Sequence, residues 1–258
     1  MRIIREPKVY LLGRQTIDPE ELSRFLADHE VANWTTDTDI AGQKLCEIAG
    51  RVCYMSFAKP RPGGNKAYLG HLLEVGHGSV LEHAVFNLLI TGVSRSFTHE
   101  LIRHRAGFGY SQLSQRYVDE STADFVEPDC IARDPGLHAV WLRAIEKSLE
   151  AYRELVNALM NAPWQVQDKT LQRKIARQAA RSVLPNATET KIFVTANARA
   201  LRHFIEMRCS ESAEVEIRKV AAEVLRVLQK EAPNLFGDYE LHPLPDGTFE
   251  ARTRHRKV

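Results

Sequence analysis

Apolar positions along the chain form a β-rich run at the start and take a helical period soon afterwards. "KVYLLGRQTI" is rich in β-formers and predicts a first strand, whereas "DPEELSRFLADHE" has a Pro-led start and helical spacing. "TDIAGQKLCEIAGRVCY" predicts a second helix with Ile40, Leu45, Ile48 and Val52 near one face, and "PRPGGNK" a loop after it. A short helix is expected over 67–75. "AVFNLLITGV" then reads as a buried strand running into a helix capped by Ser94.

That helix, "RSFTHELIRHR", is expected to turn Phe97, Leu101 and Ile102 toward the core and to end at Ala106 and Gly107. Arg103, His104 and Arg105 then project from its last turn, where the macrodipole favours cations. From Pro135 onward the pattern is mostly helical: one segment to about Asn161, then "KTLQRKIARQAARSVLP", "TANARALRHFIEMR" and "AEVEIRKVAAEVLRVLQKE". The C-terminal half is therefore expected to be mostly helical. The basic ending "RTRHRKV" reads as a frayed, flexible tail, and no internal repeat or low-complexity tract interrupts the chain.

Composition narrows the function classes. With 258 residues and 44% hydrophobic content, a substantial core fits into one large domain or two small ones. Lys plus Arg total 35 against 33 Asp plus Glu, a net charge of +2, which falls short of the excess expected of a dedicated nucleic-acid binder. Positive charge must therefore be local. The four cysteines lack CxxC spacing and read as free thiols in a reducing compartment, with the cytoplasm as the default. Neither a signal sequence nor a run of roughly 20 apolar residues is present, so no membrane role is expected.

The local charge sits in "RHRAGFGYSQLSQRY", 103–117, with companions in "HGSVLEH", "ARSVLP" and "NARALRHFIEMR". Arginine presents a rigid fork of donors suited to phosphates and carbonyls, and glycine lets a backbone approach a ligand closely. Ser111, Gln112 and Ser114 add donors after the glycines. Each piece taken singly has an ordinary reading as well. Arg103 to Arg105 suit a solvated helix end, Arg181 and Arg208 a surface, Asn197 a helix cap, and His203 a satisfied histidine. His77 and His83 are six apart and His99 and His104 five apart, without the i,i+4 spacing of a helical zinc pair. No metal is expected. Ser114 lacks the base and orienting acid of a nucleophilic triad in any recognised order.

Together and in order, "HGSVLEHAVF", "ELIRHR", "SQLSQRY", "ARSVLP", "TANARAL" and "EMR" resemble the flavin-dependent thymidylate synthases, the ThyX family. The likeness runs from about Arg51-Val52-Cys53-Tyr54 to the helix at Ala213-Glu214-Val215-Glu216-Ile217, roughly two-thirds of the chain. The resemblance implies a single ThyX-like catalytic domain over 1–258 of the α+β class, with a central β-sheet, flanking helices and a mostly helical C-terminal half, assembled as a homotetramer. It implies FAD as cofactor and NADPH and 5,10-methylenetetrahydrofolate as co-substrates, with methyl transfer to C5 of dUMP giving dTMP and tetrahydrofolate. Ser79, Arg103, His104, Arg105, Gln112, Asn197, Ala198, Arg199 and His203 fall on cofactor-binding positions. Glu100, Arg103, Gln112, Leu113, Ser114, Gln115, Arg116, Arg181 and Arg208 fall on substrate-binding positions. Arg208 is the catalytic candidate, because a guanidinium there favours charge that develops on the uracil ring.

Eight residues separate Arg105 from Ser114 where the family usually has seven, and the extra one is expected in "AGFGY", a loop whose glycines absorb it as a bulge. Gln112 stands where an acid is common, Glu100 where glutamine is common and His203 where asparagine is common. Three alternatives remain: the same chemistry on another uracil nucleotide such as UMP, a nucleotide- or RNA-binding module without catalysis, and a metallohydrolase.

Overall fold

The computed structural model describes residues 1–59, 61–163 and 168–256. In chain order its elements are β1 (Ile3–Ile4), β2 (Lys8–Gly13), α1 (Pro19–Asp28), α2 (Ala41–Val52), α3 (Gly64–Glu74), β3 (Val85–Ser94), α4 (Arg95–Leu101) and β4 (Phe108–Gln112). There follow β5 (Phe125–Val126), α5 (Asp129–Ala132), α6 (Pro135–Asn161), α7 (Lys169–Ala180), β6 (Glu189–Asn197) and α8 (Ala198–Arg208). The last are α9 (Val215–Glu231), α10 (Pro233–Phe236), β7 (Glu240–Pro243) and β8 (Phe249–Arg252). The α+β class holds. A four-stranded sheet has the order β2, β3, β6, β4; β1 pairs in parallel with β5, and β7 pairs antiparallel with β8.

Two compact units divide the chain. The first comprises Met1–Lys8, Ile90–Ile102 and Ser111–Ile192, the second Val9–Leu89, Arg103–Tyr110 and Phe193–Val258. β3, β4 and β6 each contribute residues to both.

Helix starts follow from local chemistry. Asp18 accepts from the Glu20 and Glu21 amides with Pro19 opening α1, and Asp134 accepts from the Gly136 and Leu137 amides with Pro135 opening α6. Ser94 caps α4 by accepting from the Phe97 amide at 3.0 Å, as its position after the apolar run leads one to expect. In the first unit Phe125, Ile145 and Leu149 form a core cluster against Ala123. In the second, α8 buries Leu201, Phe204 and Ile205 while α9 buries Ile217, Val220, Ala221, Val224 and Leu225, the stripes expected of two amphipathic helices.

Four local expectations are corrected. The buried face of α2 is polar: Gln43, Glu47 and Arg51 are enclosed with Cys46 and Gly50, whereas Val52 is exposed and Ile40, Leu45 and Ile48 are half-buried. Arg51 pairs with Glu47 at 2.8 Å and donates to the Ser56 and Lys59 carbonyls, and Asn65 on α3 donates to Glu47 at 2.8 Å, so each buried charge has partners. Helix α4 ends at Leu101, leaving Ile102 exposed and Arg103 to Arg105 in the segment that follows rather than on the last helical turn. "TAN" ends β6 and is not helical, because "ETKIFVTAN" alternates toward and away from the core with a period of two. Most of "AGFGY" is strand: the turn is confined to Ala106 and Gly107, and β4 starts at Phe108.

At the chain's end, Thr253 bonds to Asp238 and the His255 carbonyl accepts from Arg202 at 3.2 Å. All four cysteines are free thiols; Cys46 and Cys209 are buried, and burial pushes their thiols up to about 12 and about 11. No described helix is long and apolar enough to cross a membrane. Among the described residues no group of three or more His, Cys, Asp or Glu is placed to hold a metal.

Candidate functional site

The sequence-predicted residues separate into two sets. In the second unit the segment after α4 and one face of α8 enclose a cavity of about 480 Å³, lined by Arg103, His104, Arg105, His203, Met207 and Arg208 together with Ala106, Phe108 and Ala200. Three guanidiniums face it, and no carboxylate is among its lining residues. Arg208, at the last position of α8, donates through Nε to Nε2 of His104 at 3.0 Å. The His104 ring packs near Phe204, Phe108 and His203, with ring centres 5.3, 5.9 and 5.9 Å away. Burial first, then the positive charge of Arg208, His203 and Arg103, pulls the His104 imidazole down to about 4. It is therefore neutral near pH 7, with Nε2 as acceptor and the proton on Nδ1. The Tyr110 hydroxyl donates to the His104 carbonyl at 2.5 Å, and burial raises that phenol's pKa.

Gly107 sets the turn that delivers this segment. Its φ is +73°, and a Cβ there would lie 2.7 Å from Nδ2 of Asn197 and 2.9 Å from Cβ of Ala200. Asn197 caps α8, accepting from the Ala200 amide at 2.8 Å, while its own amide donates to the Gly107 carbonyl at 3.2 Å. The buried Ala198 donates its amide to the Ala84 carbonyl at 2.8 Å. Ser79 is exposed in the short 3₁₀ turn Gly78–His83, and Arg199 is paired with Glu82 of that turn at 2.6 Å.

In the first unit, β4 ends at Gln112, whose Nε2 donates to the hydroxyls of Thr98 on α4 at 3.1 Å and Thr190 on β6 at 3.3 Å. The Leu113 amide donates to the Lys191 carbonyl at 2.9 Å, fixing where Ser114 to Arg116 begin. Ser114 accepts from the Arg116 amide at 3.3 Å, which matches a binding or turn group rather than an activated nucleophile. Arg181, half-buried, starts the 3₁₀ turn after α7, and Glu100 lies half-buried on α4. Among the described residues, Nη1 of Arg95, Nε2 of Gln115, Nε of Arg116 and Oε1 of Glu120 are buried without a hydrogen-bond partner. Three of these four atoms are donors.

Five residues singled out from the sequence, Arg103, His104, Arg105, His203 and Arg208, line one cavity; Met207, Phe108, Arg95 and Glu120 were not singled out. Arg95 immediately follows the capping Ser94, a signal that was available; Met207 and Phe108 carry none beyond their neighbours. Arg202, which lies between two candidates on α8, is structural: it is fully buried, pairs with Asp238 at 2.6 Å and stacks over Tyr239. A larger cavity of about 960 Å³ in the second unit, bordered by Trp34, Phe86 and Lys230, contains none of the predicted site residues.

The family described as thymidylate synthase complementing protein matches residues 36–234, which include every predicted site residue. Two relatives named flavin-dependent thymidylate synthase are 53% and 55% identical. One, from Mycobacteroides abscessus, aligns over 87% of this chain and 89% of its own; the other, from Mycolicibacterium gilvum, over 88% and 90%. The chain belongs to the flavin-dependent thymidylate synthases. A further relative of that name, from Corynebacterium glutamicum, is 51% identical over 83% of this chain and 86% of its own. Membership makes the chain an enzyme, a flavin-dependent transferase of thymidylate synthesis. The fold is shared with a solved UMP/dUMP methylase, PolB, from Streptomyces cacaoi bound with 5-Br dUMP. Its TM-score is 0.64 and its identity 21%, with 92% of this chain and 96% of that one covered.

Proposed function

We propose that the protein converts dUMP to dTMP, taking the methylene of 5,10-methylenetetrahydrofolate and the reducing equivalents of NADPH, with tetrahydrofolate and NADP⁺ as the other products. FAD, when bound, supplies the redox chemistry that couples NADPH to the transferred carbon. The cationic cavity of the second unit fits that group, since Arg103 and Arg105 line it and no carboxylate does. Ser79, Gln112, Asn197, Ala198, Arg199 and His203 complete the cofactor-binding set. Glu100, Arg103, Gln112, Leu113, Ser114, Gln115, Arg116, Arg181 and Arg208 bind the nucleotide, with the unpartnered donors of Gln115 and Arg116 toward its phosphate.

The observation that carries the reading is the Arg208 to His104 bond inside the cationic cavity. A neutral His104 accepts from Nε of Arg208 and holds the guanidinium at the cavity, where its positive charge favours negative charge as it grows on the uracil N3 and neighbouring carbonyl. We further propose one catalytic domain over the whole chain, a homotetramer in solution and a cytoplasmic location. Neither nucleic acid nor a membrane enters this reading.

A second acceptor is favoured by one observation: the UMP/dUMP methylase sharing the fold covers nearly the whole chain. The deciding experiment is anaerobic incubation with FAD, NADPH, methylenetetrahydrofolate and equal dUMP and UMP, followed by mass spectrometry. Methylated dUMP alone establishes the thymidylate reading. Methylated UMP, alone or as well, extends the acceptor range, and absence of both products overturns the reading.

A further inference from the structure

Residue 104 is held at two points. Its ring accepts from Arg208 through Nε2, and its main-chain carbonyl accepts from the Tyr110 hydroxyl at 2.5 Å. All three residues belong to the second unit. Tyr110 is the third residue of β4, along which half-buried and exposed positions alternate, so it shares a face with Phe108. The two rings stack with centres 5.7 Å apart and planes 15° apart. Phe108 in turn lines the cationic cavity and packs near the His104 ring, whereas Tyr110 itself does not line the cavity. Between them, the Phe108 amide donates to the Arg105 carbonyl at 3.2 Å and closes the turn at Ala106 and Gly107. Burial holds the Tyr110 phenol above its ordinary value, so the hydroxyl remains a donor throughout the neutral range.

Resting on the catalytic reading of Arg208 above, we infer that Tyr110 is a positioning residue for methyl transfer: it fixes the His104 carbonyl, and so aims the imidazole that holds the Arg208 guanidinium at the cavity. The link is geometric. A residue has two soft backbone dihedrals, and anchoring its carbonyl restricts them, and with them the direction of the Cα–Cβ bond that carries the ring. Removing the hydroxyl leaves the stacking on Phe108 in place but takes away the directional part of the contact. A bond as dependent on distance and angle as that between Nε of Arg208 and Nε2 of His104 is then no longer enforced at 3.0 Å. The chemistry is sensitive to such a displacement, because a charged group a fraction of an ångström out of place stabilises the developing charge less well.

The test is Tyr110→Phe, which keeps the ring and deletes the hydroxyl alone. Flavin content and melting temperature close to wild type are expected, with kcat for dTMP formation lowered about five- to ten-fold and KM for dUMP changed less than about two-fold. In an Arg208→Ala background the same substitution is expected to lower the residual rate no further, because it acts through that guanidinium. NMR titration of histidine-labelled, flavin-loaded protein, with His104→Gln identifying the signal, reads the geometry without turnover. The imidazole is expected to titrate at higher pH in Tyr110→Phe than in wild type, since a less enclosed ring is more readily protonated. Wild-type kcat, full additivity with Arg208→Ala or an unchanged titration overturns the inference, as does loss of flavin or of the fold, either of which would give Tyr110 another role. If wild type methylates neither dUMP nor UMP, the functional reading fails, and the titration alone decides whether Tyr110 orients His104.

Discussion

Nε of Arg208 donates to Nε2 of His104 across 3.0 Å, so the histidine that carries the middle of the "RHR" triplet serves as an acceptor. Arg208 closes α8 and His104 follows α4, 104 positions earlier in the chain. The bond requires a neutral imidazole, which the surrounding cations and burial enforce. Changing Arg208 to Ala is expected to leave bound flavin largely intact and to reduce methyl transfer about 10²- to 10³-fold, the usual cost of losing one charge-stabilising donor. Flavin absorbance together with single-turnover dTMP formation checks this; near-normal turnover would remove Arg208 from catalysis.

Stability should depend on pH through the same histidine. In the unfolded chain His104 takes up a proton below its ordinary 6.5, whereas the folded protein resists until about 4. Unfolding therefore binds a proton between those values, and stability declines as pH falls from 6.5 to 4, by on the order of 2 kcal/mol after solvent screening. Urea midpoints of wild type and His104→Gln, compared from pH 4 to 7, should diverge in that interval. Parallel curves would mean that the ring titrates alike in the folded and unfolded chain.

Glu120 acts in the opposite direction. Its carboxyl ionises near 4.5 when unfolded but near 6 when folded, so the native state holds the extra proton between those values and stability from this group is lost as pH rises through 6. Glu120→Gln is expected to stabilise the protein by about 1–2 kcal/mol at pH 8 and to have no effect at pH 4.5. Thermal melts at the two pH values test the sign.

Arg103→Ala is expected to lower flavin retention after gel filtration several-fold with little change in thermal stability, because Arg103 is an exposed residue lining a cationic cavity. Unchanged flavin content would assign the cofactor elsewhere.

Asp238→Ala should behave differently. It strips Arg202 of a partner on two nitrogens, at 2.6 and 2.7 Å, and leaves a buried guanidinium uncompensated. A loss of about 3–5 kcal/mol is expected, read as a shift in the denaturation midpoint. A shift under about 1 kcal/mol would show the pair to be dispensable.

Legibility in the sequence tracked how local each determinant is. Ser94, Asp18 and Asp134 announce their helices because a cap and its amides lie within three residues. The polar face of α2 was hidden because Glu47, Arg51 and Asn65 satisfy one another only after α2 and α3 pack, while the visible apolar stripe of Leu45 and Ile48 ends half-buried. β6 was hidden in its own way: "TAN" leads straight into helical "ARAL", and the period-two alternation upstream was absorbed into a helical reading. The cavity residues Arg103, His104, His203 and Arg208 were legible as motifs, but the acceptor role of His104 was not, since it arises from an arginine distant in sequence. Arg95 and Glu120 carry no motif; only burial without partners reveals them.

The crowding at Gly107 makes one hydrogen atom in place of a methyl a condition for the whole motif. A side chain there would push Asn197 off the start of α8, the helix on which Arg199, His203 and Arg208 ride. A library randomising 103–110 would then tolerate variety at the solvent-facing Ala106 while returning glycine at the neighbouring codon, and survivors with any other residue at 107 should carry a compensating change at 197 or 200.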